Sequence, residues 1–160
     1  MRIPSEKLDR FDREILSILQ EDATVSVAEL GERVGLSPTP CWRRIQKLEE
    51  RGVIRKRVAL LDPAQLNVGV TVFISIRTNE HNIEWFASFH RLVSALPEVT
   101  EFYRVAGNTD YLLKVVVSSI EDYDRIYKTL IQGAALSDVS SMFAMEQIKY
   151  TTALPLGHAG

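Results

Sequence analysis

The chain has 160 residues, of which 46% are hydrophobic and 25% charged, a composition typical of one ordinary globular domain or two small ones. A single cysteine, Cys41, excludes an internal disulfide, and no N-terminal run combines a basic start with an apolar core. We therefore expect a soluble, cytoplasmic protein. The longest uninterrupted apolar stretches are a few residues long, whereas a membrane span needs roughly 20.

The net charge of −2 conceals a basic cluster in residues 43–57, where seven residues are basic and only Glu49 and Glu50 are acidic. A compact basic cluster on a nearly neutral chain is the pattern expected of a local nucleic-acid contact. A charge run by itself is also typical of a solvated helix face. The secondary structure predicted around the cluster distinguishes between these two interpretations.

Two amphipathic helices are predicted before the cluster. Asp9 is placed to cap the first helix, whose first turn carries Asp12. The run Ser26-Val27-Ala28-Glu29 is a capping box that starts a second, short helix. Gly35 supplies the left-handed residue that ends this helix, and a tight turn follows.

A third helix is predicted to begin at Ser37-Pro38, and Pro40 is tolerated because the first amides of a helix lack internal partners. At helical spacing this helix has an apolar stripe and a basic stripe. The apolar stripe consists of Cys41, Ile45 and Leu48. The basic stripe consists of Arg44, Lys47 and Arg51, with Arg43 beside it.

Two helices joined by a short glycine-containing turn, the second exposing basic residues, form the helix-turn-helix arrangement of DNA-binding proteins. Gly52 ends the third helix, and Val53–Leu61 is predicted as a short wing strand whose Arg55, Lys56 and Arg57 flank the duplex. The predicted DNA contacts are Ser37 and Thr39 at the helix start, Arg43, Arg44, Lys47 and Arg51 along the helix, and Arg55 and Arg57 on the wing.

The rest of the chain predicts the order βαββαβ, which is the ferredoxin-like plan of an antiparallel sheet with two helices on one face. The predicted elements are a strand from Val70, a helix ended by Pro97, a hairpin of Val99–Ala106 and Tyr111–Val117, a helix capped by Ser119, and a strand over Ser140–Tyr150. An open apolar sheet face needs a partner, so we expect dimerisation through positions such as Phe73, Tyr103 and Phe143.

These elements predict an α+β protein in four segments. A winged helix-turn-helix domain occupies residues 1–62, a linker residues 63–69, a ferredoxin-like domain residues 70–153 and a tail residues 154–160. No glycine-rich phosphate loop, metal-ligand spacing or nucleophile motif appears in the sequence. We therefore expect no catalysis, no cofactor and no metal. A metabolite-sensing subunit without DNA action and a small enzyme stay open as alternatives.

Several motifs make the chain resemble the Lrp/AsnC (leucine-responsive, feast/famine) transcriptional regulators. The most specific motif is Val34-Gly35-Leu36-Ser37-Pro38-Thr39-Pro40-Cys41. The resemblance extends over nearly the whole chain through Leu8-Asp9 with Asp12, Leu48-Glu49 with Gly52-Val53-Ile54, Ala59–Pro63, Gly107 with Asp110-Tyr111-Leu112-Leu113, and Met145–Lys149.

The resemblance implies a DNA-binding regulator of amino-acid metabolism whose second domain binds an amino acid or a related metabolite. It also implies dimers that associate into octamers, with the effector between dimers. The positions that match the family's effector site are Gly107, Asn108, Thr109, Asp110, Ser141 and Phe143. Here Asp110 is expected to accept from an ammonium group and the Gly107 turn to donate to a carboxylate, although a plain hairpin turn explains the same residues.

Overall fold

The chain divides into two units in a computed structural model that describes residues 7–159. One unit comprises the described residues up to Ala59 together with those from Lys149 onward, and the other is Leu60–Ile148. Residues 1–6 of the predicted first domain and residue 160 of the predicted tail lie outside the described residues.

The first unit is built on three helices, α1 Arg10–Leu19, α2 Val27–Val34 and α3 Pro38–Glu50. Asp9 and Asp12 cap each other's backbone N–H groups at the start of α1, and the Ser26 hydroxyl accepts from the Glu29 N–H at 3.2 Å. The Glu29 carboxylate pairs with Arg33 one turn further on. The helices enclose a core of Ile15, Leu16, Leu30, Val34, Cys41, Ile45 and Leu48.

Gly35 has a φ of +73°, as its predicted role in ending α2 requires. Its N–H donates to the Glu32 carbonyl, and the Leu36 N–H donates to the Gly31 carbonyl at 2.8 Å. These bonds set the turn that leads into α3. Cys41 is completely buried in the core, which agrees with the prediction that it packs, and burial raises the pKa of its thiol.

The chain's last segment returns to this first unit. The Gln20 side-chain amide donates to the Leu154 carbonyl at 3.1 Å, and the Leu154 N–H donates to the Gln20 side-chain oxygen at 2.9 Å. Leu156 packs against the core of the helices. This contact was not predicted from the sequence, because the last segment is short and has no hydrophobic periodicity that would indicate what it packs against.

The second unit has the predicted order βαββαβ. Its elements are β1 Val70–Arg77, α4 Ile83–Ser94, β2 Val99–Arg104, β3 Tyr111–Val117, α5 Ile120–Gly133 and β4 Asp138–Phe143. The strands form one antiparallel sheet in the order β2-β3-β1-β4. The observed architecture confirms the α+β fold class.

Two predicted strand regions differ from the structure. The last strand, predicted over Ser140–Tyr150, spans Asp138–Phe143, where Phe143 pairs with Val72 of β1. One further backbone bond follows, from the Ala144 N–H to the Thr71 carbonyl at 2.9 Å. No strand is assigned to Val53–Leu61, over which the wing strand was predicted, and most of this segment is exposed. Strand-like composition in both regions therefore extends beyond the residues that form strands.

The pleat of the sheet assigns side chains to its two faces. Val72, Ile74 and Ile76 of β1 are fully buried in a core with residues of α4 and α5, so this face carries the helices. Phe73 and Tyr103 lie on the opposite, free face. Phe143 is paired with Val72, which puts its ring on the helix face. The prediction that Phe143 belongs to the free face is therefore wrong.

Candidate DNA-binding and effector sites

The solvent side of α3 presents the residues from which the sequence predicted DNA contacts. Four of them, Ser37, Thr39, Arg43 and Lys47, are exposed. Ser37 is the N-cap of α3 but makes no side-chain capping bond. One of the two usual donors is missing, because Pro40 at the third helical position has no N–H for the hydroxyl to accept from.

Arg44 occupies a different position from Arg43. Its guanidinium Nη1 donates to Asp9 Oδ2 at 2.7 Å and to Asp12 Oδ1 at 2.8 Å. The guanidinium carbon Cζ lies 5.2 Å from the centroid of the Phe11 ring. The Asp12 backbone N–H, together with Arg44, lowers the pKa of Asp9 below its ordinary 3.8. Arg44 thus ties α3 to the start of α1.

The other predicted contacts lie around and beyond the end of α3. Arg51 is the C-cap residue of the helix and is partly buried. Arg55 is exposed in the segment that follows the helix, and Arg57 contacts the Glu49 carboxylate at 3.0 Å. These cations are therefore close in sequence but differ in how far they are already engaged within the chain.

An open groove of about 350 Å³ runs beside α3. It is lined by five cations and two carboxylates, namely Lys7, Arg43, Arg44, Lys47 and Arg51 with Asp9 and Asp12. The carboxylates are those that hold Arg44, so the remaining cations give the groove a positive potential. A groove of this charge is suited to the phosphate backbone of a nucleic acid.

Sequence interpretation missed two residues at this surface. Lys7 lines the groove but lies outside the helical pattern that guided the prediction. Trp42 is 51% exposed on α3, between the predicted contacts Thr39 and Arg43. Thr39 lies three residues before Trp42, so helical spacing places both side chains on one face of α3. The exposure of Trp42 could have been predicted from this spacing.

The predicted effector residues of the hairpin turn are held by backbone geometry. Gly107 has a φ of +126°, a conformation that favours glycine. Asn108 is exposed and Thr109 is partly buried. Asp110 Oδ2 accepts from the buried Thr78 N–H at 2.9 Å, and the Asp110 N–H donates to the Ile76 carbonyl at 3.0 Å. One carboxylate oxygen of Asp110 therefore fastens the turn to the end of β1.

The two other predicted effector residues lie on β4, at the opposite edge of the sheet from β2. The Ser141 and Tyr123 hydroxyls are hydrogen-bonded to each other, and the Phe143 ring meets the Tyr123 ring edge-on with centroids 5.0 Å apart. Asp110 is bonded to β1 and Ser141 to α5. Among residues 7–159 of one chain, no hydrogen bond joins the turn to the Ser141 or Phe143 side chain.

A second cavity of about 290 Å³ lies between α4 and the end of α5. Trp85 and Phe89 form its aromatic wall, while Gly133 and Ala134 line the other side. None of the six predicted effector residues lines it. In the part of the chain that the structure describes, no group of three metal-ligating side chains occurs and no helix is long and apolar enough to cross a membrane.

Two family models match the chain. The Lrp/AsnC ligand binding domain matches residues 71–154, and a winged helix-turn-helix DNA-binding domain matches residues 8–55. Among full-length relatives, a glutamate uptake regulatory protein of Zymomonas mobilis is 54% identical over 94% of this chain and 92% of its own.

Two solved structures have the same fold over nearly the whole length. An AsnC family transcriptional regulator from Agrobacterium tumefaciens has a TM-score of 0.90 and 64% identity, covering 93% of this chain and 97% of that one. A transcriptional regulator from Neisseria meningitidis, solved as a complex with L-Met, has a TM-score of 0.90 and 37% identity, covering 94% and 98%. These proteins are named as regulators, which confirms the predicted non-enzymatic role. The chain belongs to the Lrp/AsnC family of DNA-binding transcriptional regulators.

Proposed function

We propose that this regulator binds specific operators of amino-acid metabolism genes through the exposed face of α3, and that an amino acid bound to its second domain modulates this binding. The observation that carries the DNA part is the basic groove beside α3, with Arg43 and Lys47 on its wall. Ser37 and Thr39 lie at the start of the same helix, where hydroxyl groups can reach the phosphate backbone. Arg51, Arg55 and Arg57 extend the basic surface.

Arg44 has a separate role in this proposal. Because its guanidinium is already bound by Asp9 and Asp12, we assign it to positioning α3 rather than to direct contact with a base. Arg43 and Lys47, whose side chains are exposed, are the contacts that we propose from the middle of the helix.

The DNA part is tested by changing both Arg43 and Lys47 to alanine in the full-length protein. An operator is first enriched from a randomised duplex pool with the wild type, and affinity for it is then measured at several salt concentrations. We expect the salt slope to fall by about one for each cation that no longer neutralises a phosphate. A variant with Arg91→Ala and Lys128→Ala, which removes two exposed cations of the second unit, is the matched control. Equal affinity of both double variants would contradict the proposal.

The effector part is supported by the L-Met bound to the Neisseria meningitidis relative and by the name of the Zymomonas mobilis relative. We propose that Gly107, Asn108, Thr109 and Asp110 of one copy meet Ser141 and Phe143 of another, since these groups lie apart within one chain. Backbone N–H groups of the turn would donate to the carboxylate of the effector. The Asp110 carboxylate would accept hydrogen bonds from the ammonium group of the effector.

Asp110→Asn tests the effector site without disturbing the turn. The asparagine oxygen can still accept from the Thr78 N–H, but the negative charge that an ammonium requires is gone. In a thermal-shift screen with the twenty standard amino acids, we expect a stabilising amino acid for the wild type and about ten-fold weaker binding for the variant. Asp138→Asn, an exposed carboxylate at the start of β4, is the control. Unchanged affinity of Asp110→Asn would remove Asp110 from the site.

We further propose that the protein is a homodimer in the cytoplasm and that the dimers associate into octamers. The support is the free face of the sheet, which carries apolar side chains, and two exposed segments, residues 55–62 and 145–149, to which no strand is assigned. A dimer places two α3 helices on one operator with two half-sites. We propose the same functional segments as before: a DNA-binding domain in residues 1–62, a linker in 63–69, an effector-binding and oligomerisation domain in 70–153 and a tail in 154–160.

A further inference from the structure

The solvent face of α3 carries one large apolar side chain among its polar and charged ones. Trp42 is 51% exposed, whereas Cys41, Ile45 and Leu48 on the other side of the helix are at most 3% exposed. Within residues 7–159, no aromatic ring stacks on the Trp42 indole. A half-exposed tryptophan leaves a large apolar area in water, and such side chains are enriched where a partner covers them.

The neighbours of Trp42 indicate which kind of partner that is. Thr39 lies three residues before Trp42 and Gln46 four residues after it, so the three side chains share one face of the helix. Arg43 is adjacent and exposed, and it lines the basic groove. Glu49, one turn further along this face, is paired with Arg57 at 3.0 Å. The cations of the adjacent groove would repel a second copy of this surface and attract a polyanion. The charge around the indole therefore favours DNA as the partner.

The bases of DNA offer one apolar group to a side chain in this position. In the major groove, thymine presents its C5-methyl group, and apolar side chains distinguish thymine by contact with that methyl. The indole carries only one polar group, an N–H donor, so most of its exposed surface is apolar. We propose that Trp42 is a specificity-determining residue that contacts a thymine methyl group in each operator half-site. This inference rests on the proposed docking of α3 in the major groove.

The contact makes a quantitative prediction that needs no protein variant. Uracil differs from thymine only by the missing methyl, and burying one such group is worth about 0.8 kcal/mol. Replacing the contacted thymine by uracil should therefore weaken binding of the wild-type protein about four-fold per half-site. Replacing thymines elsewhere in the same duplex should leave the affinity unchanged.

The variant experiment uses the same duplex, an operator enriched from a randomised pool with the full-length wild type. Trp42→Ala should bind the thymine and uracil duplexes equally and should enrich sequences without a fixed thymine at that position. Trp42→Phe retains an aromatic face and should preserve discrimination. Ile83→Ala removes an apolar side chain that is 82% exposed on α4, and it should behave like the wild type. Because Trp42 lies outside the core, we expect all three variants to have the wild-type melting temperature.

The outcomes separate this inference from the proposed function. Undiminished thymine discrimination by Trp42→Ala would overturn the role of Trp42, even if the Arg43 and Lys47 variant fails to bind DNA as proposed. The role of Trp42 would also be overturned if Trp42→Ala altered only the oligomeric mass in light scattering, because the indole would then cover a protein interface. Failure of the wild type to enrich any duplex sequence would instead overturn the proposed DNA contacts themselves.

Discussion

Arg43 and Arg44 show how much the environment of a residue adds to its type. Both are arginines of the basic cluster, and spacing along the helix favoured both as DNA contacts. Arg43 is exposed on the solvent side of α3, but Arg44 is turned toward α1, where two carboxylates and the Phe11 ring surround it. Asp12 is a poorly exposed partner, with 13% of its side chain accessible. We therefore propose Arg43 as a DNA contact, whereas Arg44, with the same side-chain chemistry, packs two helices together.

This difference predicts that Arg44→Ala acts on stability. Removing the guanidinium leaves the Asp12 carboxylate, which is mostly buried, without its charged partner, so we expect the free energy of unfolding to fall by about 1 to 3 kcal/mol. Chemical denaturation of the full-length protein measures the decrease. Arg10→Ala removes a surface partner of Glu14 whose side chain is 79% exposed, and should cost less than about 0.5 kcal/mol.

A double-mutant cycle with Arg44→Ala and Asp12→Ala identifies the cause of that decrease. If the ion pair is responsible, the two effects should fall short of additivity by about 0.5 to 3 kcal/mol. Strict additivity, or an Arg44→Ala variant as stable as Arg10→Ala, would show that Arg44 does not tie the helices together.

At the scale of elements, the turn between α2 and α3 depends on two glycines for different reasons. Gly35 has a left-handed backbone, which the sequence predicted from its position after a short amphipathic helix. Gly31 lies inside α2 and is needed for space, because a Cβ atom there would be 2.6 Å from the Leu36 carbonyl oxygen. That oxygen belongs to the backbone and cannot move without shifting the turn.

Gly31→Ala should consequently destabilise the helix-turn-helix by about 1 to 3 kcal/mol, although alanine is the better helix former. Thermal denaturation of the full-length protein checks this, and operator affinity should fall with it because α3 is displaced. Gly69→Ala is the matched control, since its Cβ meets nothing within 4 Å and its φ is not positive. A Gly31→Ala variant as stable as this control would show that the turn can shift at no cost in stability, which would contradict the requirement for glycine at this position.

Helices and paired strands were predictable from the sequence because their periodicity and end signals are local. Asp9, Ser26 and Gly35 mark helix ends through groups only three or four residues away. Contacts between distant segments leave no such trace. The sequence therefore did not predict that Arg44 binds Asp9, that Gln20 binds Leu154, or that the last strand ends at Phe143. The predicted effector residues depend on the family resemblance for the same reason.

At the scale of the whole molecule, the free face of the sheet is the surface that we propose as the dimer interface. Apolar side chains of all four strands lie there, namely Phe73, Tyr103, Leu112, Val116 and Met142, around the Lys114–Glu101 ion pair. Tyr103 and Met142 are about half exposed. A face of this composition is typical of an isologous interface, in which each residue meets the same surface of the partner.

Phe73→Glu tests this interface, because it would place a carboxylate at the centre of each apolar face and bring like charges together across the two-fold axis. We expect light scattering to give a mass near twice the 18.1 kDa of the chain, or a multiple of it, for the wild type and the mass of a single chain for Phe73→Glu at micromolar concentration. Ile83→Glu adds the same charge at an exposed site on α4 and should retain the wild-type mass. Since Phe73 is only partly buried within one chain, the variant should keep its helical content, and circular dichroism verifies this. A folded Phe73→Glu variant with the wild-type mass would place the dimer interface on another surface.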